Sequence, residues 1–166
     1  GMAAKKPSKT SGQNLENGVI THFLLKNYSE KDTVQLTYTS MAGDTLANYS
    51  SIAKKKEEKL DLKKGGNTFV WDTRGKGATK LEGMIFWWAS FDGAKAVPGD
   101  YKVHLNVNGS NSSETFTILP DPRAESSVAE MQQQFDFITD INTTIENAHQ
   151  SIKKIRDVTK QLNSFT

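Results

Sequence analysis

One stretch, residues 97–109, constrains the fold more than any other because its apolar and polar side chains alternate. The apolar members are Tyr101, Val103, Leu105 and Val107. A period of two puts such residues on one face of an extended chain and the polar residues on the other. Asn108-Gly109 is a turn signal, and another strand is predicted over 114–119. The stretch therefore predicts an antiparallel hairpin with a slightly long loop, one face of which lies on a core.

Shorter segments with the same character precede this hairpin. They predict strands at 18–26, 33–40, 45–50, 67–72 and 84–89. No helical pattern long enough for a crossover between parallel strands separates them. About seven short strands joined by turns predict a two-layer β-sandwich like an immunoglobulin or fibronectin type III domain. A small closed barrel is the alternative architecture.

The character of the chain changes after residue 120. Residues 121–125 form a proline-rich linker, and neither Pro nor Gly occurs from residue 126 to the end. Ser127 and Glu130 have the spacing of a helical capping box. Apolar residues then recur at steps of three and four, which predicts a long amphipathic helix over 126–166. The predicted interaction stripe of this helix consists of Met131, Phe135, Ile138, Ile141, Ile145, Ile152, Ile155, Val158 and Leu162.

Two forms of this helix remain open from the sequence. One rod would be about 57 Å long, whereas a break at the poor helix formers 142–144 would give a helical hairpin. In either form an apolar stripe needs cover, because an isolated helix with its stripe in water is marginal. The sandwich, the second half of the helix, another copy or a segment beyond residue 166 could cover it. We expect an antiparallel helix of a longer parent protein to do so, and a homodimer through the C-terminal helix in the isolated chain.

Composition narrows the function classes. The 166 residues include 21 basic and 19 acidic side chains and no cysteine. This near-balance does not indicate a nucleic-acid partner, and the lack of cysteine excludes disulfides and thiolate metal sites. No run of 18 apolar residues exists, so no membrane span is predicted. Residues 1–16 are polar and predict a disordered tail or linker, whose first six residues look like a tag remnant, and 17–120 form the predicted sandwich domain.

Several motifs resemble one bacterial module. Four segments are 66–72 (GNTFVWD), the predicted strand 83–87 (GMIFW), the strand entry 93–101 (GAKAVPGDY) and the helix lead-in 121–123 (DPR). They are similar to the C-terminal immunoglobulin-like plus helical module of sortilin-like β-propeller proteins, which are often labelled glycosyl hydrolases. The resemblance covers about 18–162. It implies an exported (periplasmic or extracellular) multidomain parent, whose propeller is a partner of this module and carries any catalysis.

Candidate sites within the chain itself are few. Trp87 and Trp88 would point to opposite faces of the strand 84–89, so one of them needs cover by protein or by a glycan. The loop carboxylates and the three histidines lack the spacing of a catalytic pair or a metal site. We therefore expect no enzyme activity, metal or cofactor in this chain. The expected function is a structural and interaction module that packs on a propeller, and the alternative is a carbohydrate-binding accessory module of a glycoside hydrolase.

Overall fold

The computed structural model describes residues 17–79 and 91–164. Its strands are β1 (Val19–Leu25), β2 (Val34–Ser40), β3 (Thr45–Ser50), β4 (Gly65–Trp71), β5 (Gly99–Val107) and β6 (Ser110–Ile118). A single 3-10 turn, Lys56–Glu58, separates β3 from β4, and one helix, α1 (Val128–Ser164), follows β6. The predicted strand at 84–89 lies outside the described residues.

The six described strands form two antiparallel sheets. β1 pairs with β4 in one sheet, and the other has the order β3-β2-β5-β6. Every strand pairing is antiparallel, and two of them, β2–β3 and β5–β6, are hairpins joined by short turns. The prediction of a β-rich domain followed by a C-terminal helix is therefore confirmed, whereas a seven-stranded sandwich is not established by the described strands.

The turn between β5 and β6 differs from the prediction. Val107 pairs directly with Ser110, so the loop contains two residues, Asn108 and Gly109, and not the slightly long loop that was expected. Both have positive φ, 51° and 90°, as a type I′ turn demands. This turn matches the twist of the flanking strands, and β6 therefore begins four residues earlier than the alternation in its sequence indicates.

The core lies between the two sheets. Val34, Leu36 and Tyr38 of β2 and Trp71 of β4 are fully buried, as their alternation predicts. The rings of Tyr38 and Trp71 stack with centroids 4.5 Å apart, which joins the two sheets through aromatic contact. The Tyr38 hydroxyl is 2.7 Å from Thr21 Oγ1, and burial raises the pKa of Tyr38 to about 12.

Helix α1 is one continuous rod of 37 residues, about 56 Å long, so the hairpin alternative is wrong. Its capping box is present: Ser127 N donates to Glu130 Oε2 (2.8 Å), and Glu130 N donates to Ser127 Oγ (3.3 Å). At the weak segment 142–144, the hydroxyls of Thr143 and Thr144 donate to carbonyls one turn earlier. Both hydroxyls are thus satisfied within the helix, which continues through this segment.

Candidate interaction surface

Two loops form a platform beside the core. We call 72–79 and 91–97 the docking loops. They run against each other through backbone hydrogen bonds, Gly75 N to Ala94 O (2.8 Å) and Ala96 N to Thr73 O (2.7 Å). A Cβ at Gly77 would collide with the carbonyl of Phe91. Glycine is therefore required at this position, because only a hydrogen fits between the two backbones.

Polar groups in the middle of α1 hold the helix on the docking loops. The Glu146 carboxylate accepts the backbone N–H of Thr79 (2.9 Å), and Nδ1 of His149 lies 2.6 Å from the Thr79 carbonyl. The Asn142 amide donates to the Asp92 carbonyl (3.2 Å). His149 is only 3% exposed and its ring lies 6.1 Å from that of Phe91. These contacts fix the rotation of the helix and its position along its axis relative to the docking loops.

The charge of Glu146 is stabilised at this contact. The N–H of Thr79, and after it the Gln150 side chain, lower the pKa of Glu146 to about 2. The carboxylate is thus ionised at neutral pH, and its hydrogen bond to Thr79 is charge-assisted.

Five members of the predicted stripe lie on the docked side of the helix. Met131, Phe135, Ile138, Ile145 and Ile152 are all half-buried. Phe135 packs against the cluster of core residues. The β-rich domain of the same protomer therefore covers part of the predicted stripe.

The other four members are exposed to solvent: Ile141 (41%), Ile155 (65%), Val158 (54%) and Leu162 (65%). The reason is geometric. In an α-helix a step of three residues turns back by about 60° and a step of four advances by about 40°. Phe135, Ile138 and Ile141 follow one another at two successive steps of three. The predicted stripe consequently winds around the helix and leaves the docked side.

A straight row on the outer side of α1 was missed by the sequence analysis. It follows alternating steps of four and three, which keep residues on one side of a helix. We call this row the outer stripe: Phe137, Ile141, Thr144, Ala148, Ser151, Ile155, Val158 and Leu162. All eight side chains are exposed, and Phe137 is 66% exposed. The row was missed because Thr144 and Ser151 interrupt its apolar character. Its heptad spacing was the signal that could have revealed Phe137.

The remaining predicted candidates do not assemble into a site among the described residues. Trp87 and Trp88 lie outside those residues. Asp72 Oδ1 accepts the N–H of Arg74, and Asp100 Oδ1 accepts the Thr117 hydroxyl, so both carboxylates have local hydrogen-bond partners. Within 17–79 and 91–164, no group of three or more His, Asp or Glu side chains could hold a metal ion. Nor does that part of the chain contain a helix long and apolar enough to cross a membrane.

Comparison with known proteins gave no relatives: no family model, no curated protein and no solved structure matches this chain.

Proposed function

We propose that this chain is a non-catalytic interaction module, in which an immunoglobulin-like β-sandwich holds a long helix for contact with another helix. The observation that carries the proposal is the outer stripe, whose large apolar members Phe137, Ile155 and Leu162 are each about two-thirds exposed. Scattered apolar residues on a surface need no explanation, but large apolar residues that share one side of a helix are typical of a protein contact. A heptad row on a helix fits best against a second helix.

The two sides of α1 have separate roles in this proposal. The docked side, through Glu146 and His149, attaches the helix to the docking loops. The outer side faces away from that attachment. A partner can therefore bind the outer stripe without displacing the helix from its own domain.

The wider setting of the module is also part of the proposal. The resemblance to modules of sortilin-like proteins supports an exported parent, with a β-propeller as the neighbour of the sandwich. Its support comes from the sequence motifs at 66–72 and 93–101. The reading frame of the full gene tests it: a propeller with a signal peptide upstream supports it, and a parent without a propeller contradicts it.

The interaction role can be tested by site-specific photo-cross-linking. A photoreactive residue at Ile155, on the outer stripe, is compared with one at Asn163, which is exposed but lies off the stripe. In cells that produce the full protein, we expect a defined cross-linked protein from position 155 and none from 163. Equal cross-linking from both positions, or none from position 155, would contradict the proposal.

Glycan binding at Trp87 or Trp88 stays a prediction. No contact of the described residues favours it over the helix-mediated role.

A further inference from the structure

We infer that the partner of the outer stripe is a second copy of this chain, aligned antiparallel to the first. The inference rests on the proposed function and names the partner. Four features carry it: the order of residue sizes along the stripe, the charges of the two helix halves, the hydrogen bonds of its hydroxyls, and its position relative to the docked side.

The sizes along the outer stripe suit an antiparallel pair. Large residues lie at both ends, and the small residues Thr144, Ala148 and Ser151 lie in the middle. With a two-fold axis between Ala148 and Ser151, Phe137 of each copy faces Leu162 of the other, and Ile141 faces Val158. The next layers pair Thr144 with Ile155 and Ala148 with Ser151. All eight residues are then covered, and the small central layers let the two helices approach closely.

The charges select this orientation. The half of α1 from 128 to 149 contains four carboxylates, Glu130, Asp136, Asp140 and Glu146, and neither Lys nor Arg. The half from 150 to 164 contains four basic residues, Lys153, Lys154, Arg156 and Lys160, and one acidic residue, Asp157. An antiparallel pair places each acidic half beside a basic half. A parallel pair would place like charges together, which is unfavourable.

The polar members of the stripe can be buried without losing hydrogen bonds. The Thr144 hydroxyl donates to the Asp140 carbonyl, and the Ser151 hydroxyl donates to the Asn147 carbonyl, both at 2.9 Å. A polar group is costly to bury chiefly when it is left without a partner. These two residues therefore act in the contact as small side chains whose polar atoms are already satisfied.

The position of the stripe leaves room for a second copy. The outer stripe and the docked side are on different sides of α1, so the sheets of each copy lie away from the contact. In the antiparallel arrangement each domain is attached to the docked side of its own helix, away from the outer stripe that forms the contact.

Sedimentation equilibrium across a concentration series tests the self-association. We expect the intact chain to form a dimer that dissociates on dilution. Ile155→Glu would bury a charge in the contact and should raise the dissociation constant at least about tenfold. Asn163→Glu makes a charge change in the same half, off the stripe, and should leave the dimer in place. Circular dichroism checks that both variants keep the helix.

Cysteine cross-linking tests the orientation, because the chain has no cysteine of its own. Phe137→Cys and Leu162→Cys are oxidised separately and as a mixture. We expect disulfide dimers only in the mixture, since the antiparallel pair places residue 137 beside 162 and the two copies of either residue about 38 Å apart. Cross-linking of each variant alone would overturn the antiparallel arrangement.

The outcomes separate this inference from the proposed function. A chain that is monomeric at every concentration, or an Ile155→Glu variant that remains dimeric, would overturn the inference. If photo-cross-linking from position 155 then yields a product with a different protein, the interaction role stands and the second copy is excluded as its partner. A lack of any cross-link from the stripe would reject both.

Discussion

The sheets and the helix of this protein are held by different kinds of contact. Between the sheets, large side chains such as Tyr38 and Trp71 are fully buried and stacked. Along the described part of α1, His149 is the one buried residue, and the apolar residues of the docked side are half-buried. Hydrogen bonds to the backbone of Thr79 and Asp92 complete the attachment.

This difference indicates what each region contributes. Apolar burial dominates stability, so the sheets determine whether the domain folds. The contribution of the polar contacts is modest, because a hydrogen bond in the folded protein replaces one to water. Their directional geometry instead sets the rotation of α1, and this rotation decides which side of the helix remains available to a partner.

The largest expected effect separates the two regions most clearly. Trp71→Ala removes a fully buried ring from the contact between the sheets and should reduce the free energy of unfolding by about 3–5 kcal/mol. Denaturant titration followed by circular dichroism measures it. If the stability of the whole domain depends on this core, the sheets and the helix of the variant should unfold in one transition. A loss below about 1 kcal/mol would contradict this view of the core.

A smaller effect is expected at the contact between helix and sheets. Phe135→Ala removes a half-buried ring from the docked side and should cost about 1–2 kcal/mol. Phe137→Ala is the matched control, because the same ring is removed from the outer side only two residues away. At a concentration that keeps the chain monomeric, the control should change stability by less than about 0.5 kcal/mol. Equal costs for both would show that α1 is not docked through Phe135.

The sequence predicted the sheets better than the surface of the helix, for a physical reason. In β2 and β5 each apolar residue faces the core, so alternation alone assigns Leu36 and Leu105 correctly. The turn at Asn108-Gly109 was also visible, although its length was not. In α1 apolar residues lie on both the docked side and the outer side, and the order of apolar positions in the sequence does not separate the two sets. The contacts of Asn142, Glu146 and His149 with the docking loops, and of Phe135 with the core, reveal which side is docked.

The charge on Glu146 makes the docking dependent on pH. Its pKa in the folded protein is about 2, against an ordinary value of 4.5. A depressed pKa contributes stability that is present above about pH 4.5 and is lost as the pH falls toward 2. We expect the thermal midpoint of the intact chain to fall more between about pH 6 and about pH 2.5 than that of Glu146→Gln.

The comparison with Glu146→Gln is needed because other carboxyl groups also have lowered pKa values, among them Asp32, Asp121 and Glu130. Their contribution is common to both proteins and cancels in the difference. The effect should be modest, since Glu146 retains contact with solvent and its charge is screened. Parallel pH profiles for the two proteins would contradict a role for the charge of Glu146 in docking.

The smallest effect concerns the middle of α1, where the sequence left a break open. Thr143 is exposed, and its hydroxyl donates to the Thr139 carbonyl at 2.9 Å. Alanine has the higher helix propensity, so Thr143→Ala should stabilise the protein by about 0.5 kcal/mol. Thr143→Gly should be about 1 kcal/mol less stable than the alanine variant. This difference appears in global unfolding only if the middle of the helix unfolds together with the sheets. Equal stabilities of the two variants would mean that the contacts through Asn142 and Glu146 do not couple this part of the helix to the sheets. That result would contradict the fixed rotation of α1 that keeps the outer stripe available to a partner.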